Sequence, residues 1–140
     1  MKVKTFENLQ VWQDARVFIK SIYDLTSLDN FKKDYGLKDQ IQRAAVSIMN
    51  NISEGFERDN NKEFVNFLGY AKGSAGEVRS MLYVALDLSY ITKDGFDETY
   101  NKAVSIIIQI SNFKKYLRTY TVKEKIKNVK SFIFQIINIS

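Results

Sequence analysis

Apolar residues recur at three- and four-residue steps along most of this chain, which is the period of amphipathic α-helices. Four segments carry the pattern: about Glu7 to Leu28, about Tyr35 to Gly55, Asn61 to Ile91, and a segment that starts after the turn at residues 93–95. Their connections are about five residues long, which places consecutive helices antiparallel. The pattern therefore predicts an all-α fold, an antiparallel up-down-up-down four-helix bundle over residues 1–118.

The third segment carries the most regular apolar pattern. Strict four-three spacing, the seam of a helix bundle, holds over Phe64, Leu68, Ala71, Ala75, Val78, Leu82 and Ala85. The fourth segment is expected to turn inward Phe96, Tyr100, Ala103, Ile107, Ile110 and Leu117.

The expected helix boundaries follow from capping residues. Asp34 is a predicted N-cap of the second helix, and Gly55 is predicted to end that helix as a C-terminal glycine. Asn60 and Glu63 have capping-box spacing at the start of the third helix. Asp94 is the predicted cap of the fourth.

Residues 119–140 form a predicted C-terminal helical extension. Thr121 and Glu124 again have capping-box spacing, so a fifth helix or a continuation of the fourth is expected from Val122 to about Asn138. The four-three spacing continues in Val122, Ile126, Val129, Ile133 and Ile136. Residues 132–137 are mostly apolar, which is unusual for the surface of a monomer. Packing on a neighbouring subunit explains this best; a membrane-surface anchor and an aggregation-prone edge are the alternatives.

Composition excludes several kinds of chemistry. The chain has no Cys and no His, so it cannot form a disulfide, a thiolate nucleophile, a Ser-His-Asp triad or a zinc site of the usual ligands. The absence of Pro suits long, uninterrupted helices. Clustered carboxylates around residues 54–63 could bind Mg²⁺ or Mn²⁺, but acids at a helix start are more often dipole partners. We therefore predict no catalytic residues, no metal, no cofactor and no enzymatic activity.

The positive charge is concentrated near the C-terminus. The formal net charge is +5, and residues 111–130 contain a single acid, Glu124. The basic residues of that stretch are candidate phosphate ligands, with Tyr116 and Tyr120 interleaved for base stacking. The candidates are Lys114, Lys115, Arg118, Lys123, Lys125, Lys127 and Lys130. A solubilising face is the alternative interpretation.

Two further patterns lie on the predicted second and third helices. Gly69, Gly73 and Gly76 follow one line on the third helix, where each glycine costs roughly 1 kcal/mol relative to alanine. We interpret them as a surface for close packing by a helix of this chain or of another subunit. A polar stripe on the second helix, which includes Arg43 and Glu54, is either a solvated face or a network at a subunit interface.

The order of motifs resembles a bacterial four-helix bundle family, the S23 or 23S rRNA intervening-sequence proteins. The resemblance covers about residues 5 to 118. It rests on the segments at 6–12, 35–37, 43–48, 51–55, 63–64, 67–68 and 73–74, together with Gln40, Arg58, Ala71 and Glu77. The family pattern falls on the polar residues Arg43, Asn51, Glu54, Arg58, Glu63 and Glu77.

The resemblance implies a homopentamer of four-helix bundles without known enzymatic activity. A related branch, the accessory variability determinant of diversity-generating retroelements, is a basic pentamer that engages a reverse transcriptase and nucleic acid. The resemblance therefore implies three kinds of partner, which are other copies of the chain, RNA or DNA, and a reverse transcriptase or another protein.

Two hypotheses on function follow. The first is a non-enzymatic, oligomeric adaptor that binds nucleic acid non-specifically through its basic residues, together with a partner protein. The alternative is a purely structural scaffold without nucleic-acid binding. No apolar stretch reaches the roughly 20 residues of a membrane span, and the N-terminus lacks the apolar core of a signal peptide, so a cytoplasmic location is expected.

Overall fold

A computed structural model describes residues 3–139 of the chain. Within this part the regular structure is entirely helical. Two short 3-10 helices, Phe6–Asn8 and Phe31–Lys33, accompany four α-helices. The α-helices are α1 Gln10–Thr26, α2 Tyr35–Glu57, α3 Asn61–Asp87 and α4 Lys93–Ile139.

The helices form the predicted four-helix bundle. Both α1 and α3 pack against α2 and α4, so consecutive helices are neighbours around one core. All seven residues of the predicted α3 seam are buried. On α4 the phase differs slightly, since Ile106 is buried whereas Ile107 is only partly buried against the core.

Two of the predicted N-caps are confirmed. The Leu37 N–H donates to Asp34 Oδ1 at 3.1 Å, and the Glu63 N–H donates to Asn60 Oδ1 at 3.0 Å. Each bond satisfies a backbone donor that has no partner within its helix.

The predicted role of Gly55 as a helix stop is wrong. α2 continues to Glu57, and Gly55 is a buried residue of the helix interior that faces α3. The turn is made instead by Asp59, whose φ of 55° lies in the left-handed region. Position 55 has glycine because α2 and α3 lie close together there.

α3 ends at Asp87, four residues before the predicted end. The Tyr90 N–H donates to the Ala85 carbonyl at 2.8 Å and the Ser89 N–H to the Leu86 carbonyl at 2.9 Å, which is the Schellman arrangement. Ser89 has a φ of 58° at the position where glycine is usual.

The predicted cap of α4 is also wrong. Thr92 caps the helix, because its Oγ1 accepts from the Gly95 N–H at 3.0 Å. α4 begins at Lys93, so the predicted turn at 93–95 is the first turn of the helix, and Asp94 lies within it.

The C-terminal extension is a continuation of α4. Thr121 is not a cap, since its Oγ1 donates back to the Leu117 carbonyl at 2.9 Å within an unbroken helix. α4 has 47 residues, which gives a length of about 70 Å. The first residue of α3, Asn61, donates to Thr121 Oγ1 at 3.3 Å, so most of α4 after this residue extends past the start of α3.

Candidate nucleic-acid interface

The seven basic residues predicted on α4 do not share one face. At about 100° per residue, Lys114, Arg118 and Lys125 align with one another. Lys123, Lys127 and Lys130 align on a second face. Lys115 lies between the two, on the solvent side of the helix. Since Tyr116 and Tyr120 align only with the second face, the two groups of basic residues have different surroundings.

The first group faces the start of α3. Arg118 and Lys125 line a shallow groove of about 360 Å³ together with Lys62 of α3. The side chains of Val65 and Val122 form part of its apolar lining. We call this feature the α3–α4 basic groove.

Lys114 lies in a positively charged environment next to this groove. Partial burial, followed by the nearby charges of Arg118 and Lys72, lowers the pKa of Lys114 from its ordinary value. All three effects disfavour the protonated amine. Lys62 and Lys72 could not be found from sequence spacing, because they precede Lys114 by more than 40 positions and only helix packing brings α3 beside α4.

The second group forms an exposed row with two aromatic residues. Its members, at four-three spacing, are Tyr116, Tyr120, Lys123, Lys127 and Lys130, and we call them the lysine–tyrosine row. The ring centroids of Tyr116 and Tyr120 lie 6.3 Å apart, and the two residues are 51% and 37% exposed. The three lysines are exposed. This face therefore presents planar rings and ammonium groups together.

The glycine line on α3 is not covered by a helix of this chain. A Cβ atom added to Gly73 or Gly76 would have no neighbour within 4 Å. At Gly69 its nearest neighbour would be the Lys114 Nζ at 3.3 Å, the end of a flexible side chain. Of the two packing partners expected for these glycines, the structure excludes a helix of the same chain at Gly73 and Gly76.

The polar residues of the family pattern make separate local contacts within the chain. Asn51 Nδ2 donates to the Ser47 carbonyl at 2.8 Å, and the Ser47 and Ser74 hydroxyls, 3.0 Å apart, join α2 to α3. Arg43 pairs with Asp39 at 2.9 Å.

The four other residues of this pattern lie at the surface. Arg58 pairs with Glu54 at 3.0 Å and lies over the Phe67 ring, 5.0 Å from its centroid. Glu63 and Glu77 are exposed. Exposed i,i+4 ion pairs contribute only a few tenths of a kcal/mol, so these contacts do little for the isolated subunit.

Two open grooves flank α2. The groove toward α3, of about 590 Å³, is lined by Arg43, Ser47 and Glu77, among others. The groove on the other side of Arg43, of about 630 Å³, includes Asn51 and Glu54. Across residues 3–139, no three His, Cys, Asp or Glu side chains are grouped as a metal site would require. None of the helices described combines the length and apolar content needed to cross a bilayer.

Comparison with known proteins supplies a family and a fold. The model of the 23S rRNA-intervening sequence protein family matches residues 7–112. A solved structure with a similar fold is a protein of unknown function from the S23 ribosomal protein family of Bacteroides thetaiotaomicron. It has a TM-score of 0.69 and 25% sequence identity, over 75% of this chain and 98% of that chain. No curated protein is significantly similar to the chain.

The family match divides the candidate residues into two sets. The polar residues from Arg43 to Glu77 and the three glycines lie within residues 7–112, whereas every basic candidate from Lys114 onward lies after them. The basic part of α4 is therefore a feature of this chain beyond the region that the family model matches.

Proposed function

This chain belongs to the 23S rRNA-intervening sequence protein family, and from that premise we propose that it is a non-enzymatic, oligomeric adaptor that binds nucleic acid non-specifically. Phosphate contacts from α4 supply the affinity. The stacking of unpaired bases on tyrosine adds to it where the nucleic acid is single-stranded.

The observation that carries this proposal is the lysine–tyrosine row. From Tyr116 to Lys130 it spans about 21 Å of helix, the length of about six base pairs along duplex DNA. Its side chains are exposed along an unbroken helix, so a polyanion can follow them without rearrangement of the bundle. The row itself carries three lysines, and the single acid of this stretch, Glu124, lies at its edge, about 40° from Tyr120 and 60° from Lys127.

The α3–α4 basic groove supplies a second set of phosphate contacts. Lys62, Arg118 and Lys125 line it, and Lys72 and Lys114 lie close by. Partial burial lowers the pKa of Lys114 most, and the like charges of Arg118 and Lys72 lower it further. A bound phosphate would relieve that repulsion, which makes this groove favourable for a backbone contact.

We propose a homopentamer as the assembled form. Support comes from the open glycine line, since helix-interior glycines at Gly73 and Gly76 cost stability that no contact within the chain offsets. Another copy of the chain would pack closely on this line, because the glycines have no side chains to hold a neighbouring helix away. Five copies of the basic helix would then convert weak phosphate contacts into useful avidity.

The binding proposal is tested by fluorescence anisotropy, with the full-length protein titrated into a labelled single-stranded RNA and a labelled duplex DNA between about 50 and 300 mM salt. We expect micromolar or tighter affinity that falls steeply with salt. Substitution of Lys123, Lys127 and Lys130 by Ser should reduce the slope of log K against log salt by about 2 to 3, since each phosphate contact contributes about 0.7 to 0.9.

The matched control replaces Lys32, Lys33 and Lys38 by Ser. These residues lie at the opposite end of the bundle, and their substitution changes the net charge by the same amount. Equal losses in the two variants would mean a general charge effect and would refute a binding face on α4. No binding by the unaltered protein at the lowest salt would refute the proposed function.

The oligomer proposal is tested by light scattering and sedimentation. We expect a mass five times the 16.3 kDa of one chain. Gly73→Glu combined with Gly76→Glu should lower the subunit number without loss of helical circular dichroism. Asn66→Glu, an exposed change on the same helix, is the control. An unaltered subunit number in the double variant would exclude the glycine line from the interface.

A structural scaffold is the second candidate function. The observation that favours it is the exposed apolar side of the C-terminal part of α4, which nucleic-acid binding does not explain. A scaffold predicts that removal of residues 121–140 changes the subunit number or the solubility. It also predicts that no variant binds nucleic acid, so the anisotropy titration separates the two candidates.

A further inference from the structure

The α3–α4 basic groove differs in charge from the two grooves beside α2. Its charged lining consists of Lys62, Arg118 and Lys125, and no acid lines it. Each groove beside α2 instead combines Arg43 with at least one acid, which is Glu77 in one of them. The α3–α4 basic groove therefore attracts an anion, whereas the other two have charges of both signs.

The three cations of the groove have no acidic partner in residues 3–139. Five ion pairs are present in this part of the chain, all between residues one helical turn apart, and none of them includes Lys62, Arg118 or Lys125. Positive charges that line one groove repel one another. An anion with more than one negative charge would neutralise several of them at once, and a phosphate or a chain of phosphates is such an anion.

The groove also has an apolar floor, which phosphate alone would leave in contact with water. Val65 is 8% exposed and Val122 is 55% exposed, and both line the groove. The volume of about 360 Å³ lies within the range of about 300 to 1,000 Å³ that is usual for small-molecule sites. The ligand that fits best therefore joins a multivalent anion to a flat, partly apolar group.

Two polar features of the groove favour a nucleobase as that group. Asn61 Nδ2 of α3 donates to Thr121 Oγ1 of α4 at 3.3 Å, which joins the two helices that form the groove. Asn66 also lines the groove, and its amide makes no hydrogen bond with any of residues 3–139. An amide offers both a donor and an acceptor, as the edge of a base requires.

We propose that the α3–α4 basic groove binds one nucleoside phosphate. Its phosphates contact the three cations, its base lies against Val65 and Val122, and the Asn66 amide meets the edge of the base. The base must be unpaired, because a base within a duplex is stacked on its neighbours. The inference rests on the proposed function for the phosphate contacts at this groove, and it adds recognition of the base. The ligand is a free nucleotide or one nucleotide of a single strand.

The test uses the full-length protein and ATP that carries a fluorescent label on its ribose, in buffer without Mg²⁺. Unlabelled ATP, inorganic triphosphate and adenosine compete with it, and anisotropy is the readout. Inorganic triphosphate carries at least as much negative charge as ATP, so a site that only neutralises charge would prefer it. We expect ATP to compete at least about fivefold more tightly than inorganic triphosphate, because only ATP places a base on the valines. Adenosine should compete more weakly than either.

Charge variants test the phosphate contacts. Arg118→Gln with Lys125→Gln should weaken the binding of both ATP and inorganic triphosphate by at least about tenfold. Lys32→Gln with Lys33→Gln is the matched control, since it removes two exposed positive charges at the opposite end of the bundle. It should leave the binding of both competitors nearly unchanged.

A pair of valine variants tests the contact with the base. Val122→Ser should weaken the binding of ATP by at least about threefold and leave that of inorganic triphosphate unchanged. Val129→Ser is the matched control, because Val129 lies on the same helix and is 57% exposed but does not line the groove. Loss of folding would lower the binding of both competitors, so the expected difference between them cannot arise from it.

Single-stranded RNA as a competitor identifies the source of the nucleotide. Displacement of labelled ATP by the RNA at a lower concentration than by unlabelled ATP would support the inference and assign the nucleotide to a strand. Displacement that needs a higher concentration of RNA, or does not occur, would support the inference with a free nucleotide as the ligand.

Three outcomes would overturn the inference. Competition by inorganic triphosphate as tight as that by ATP would mean that no base is held. Equal losses in the two charge variants would mean that ATP responds to net charge alone. Absence of ATP binding, while RNA still binds through the lysine–tyrosine row, would remove this site and leave the proposed function intact. ATP binding by a protein that does not bind RNA would support the site and refute the proposed function.

Discussion

Gly55 of α2 lies so close to Phe67 of α3 that a Cβ atom on the glycine would be 2.6 Å from the Cβ of the phenylalanine. The Cδ1 of Phe64 would be 2.9 Å away. A Cβ atom is fixed to the backbone and cannot rotate aside, so the helices can approach this closely only where one of them has glycine. The contact sets the separation of α2 and α3 near their connection.

Gly55→Ala should therefore destabilise the protein. Overpacking costs about 1 to 3 kcal/mol, and the better helix propensity of alanine offsets only about 1 kcal/mol of that. Urea unfolding followed by circular dichroism measures the difference. Gly36→Ala, in the first turn of α2, is the control, since its Cβ would meet only Asp34 Oδ1 at 3.8 Å, an ordinary van der Waals distance. Similar stability changes in the two variants would contradict close packing at Gly55.

Ser89→Gly should stabilise the protein by about 0.5 to 1 kcal/mol. Ser89 has a φ of 58°, and glycine adopts this left-handed conformation without the steric cost that a Cβ imposes. Ser80→Gly, in the interior of α3, should have the opposite sign, because glycine there only loses helix propensity. Thermal unfolding of both variants checks the pair, and a lower melting temperature for Ser89→Gly would argue against the observed end of α3.

Tyr100 should ionise before Tyr83 in an alkaline titration. A hydrogen bond from Arg79 Nη2 at 2.6 Å, together with one from Tyr83, lowers the pKa of Tyr100 below 10.0, and the bond to Tyr100 raises the pKa of Tyr83. The lowered pKa favours phenolate in the folded state. The ionised Tyr100 therefore begins to stabilise the fold as pH rises through its folded pKa. This contribution is complete above the unfolded value of 10.0 and is absent at neutral pH.

The ultraviolet absorbance of tyrosinate measures this order. Tyr100→Phe should remove the earliest ionisation, and Arg79→Gln should move it to higher pH. Tyr90→Phe should leave the early part of the curve unchanged, because the hydrogen bond to Asp34 raises the pKa of Tyr90. An early ionisation that survives Tyr100→Phe would assign the low pKa to another residue.

Tyr116→Ser with Tyr120→Ser should weaken binding to single-stranded RNA by about 1 to 3 kcal/mol for each stacked base. The dependence on salt should stay the same, because the phosphate contacts remain. Duplex DNA, whose bases are already stacked, should bind nearly as well as before. Anisotropy at several salt concentrations separates these effects, with Tyr35→Ser as the control. Equal losses for RNA and duplex would contradict stacking on the row.

Much of the helical architecture could be predicted from apolar periodicity. The α3 seam is buried at every predicted position, and Asp34 and Asn60 cap the helices where their spacing indicated. The errors lie at helix ends. Glycine and aspartate occur both at helix ends and within helices. Close contact with α3 decides the position of Gly55, and the cap at Thr92 decides that of Asp94.

The candidate site was predicted only in part, for a reason of geometry. Lys123, Lys127 and Lys130 share a face with the tyrosines because all five lie on one helix, and helical spacing is a property of sequence alone. Lys62 and Lys72 could not be found in this way, since their proximity to α4 depends on the pairing of helices distant along the chain.

By itself, the sequence determined that this chain forms amphipathic helices, where α2 and α3 begin, and which of their residues avoid water, because side-chain period and capping act over a few residues. The tertiary structure decided which helices are neighbours. It brings Gly55 against Phe67, leaves Gly73 and Gly76 uncovered by the chain, and leaves apolar residues in the C-terminal part of α4 exposed. These outcomes depend on packing in three dimensions, where contacts join residues that no local pattern relates.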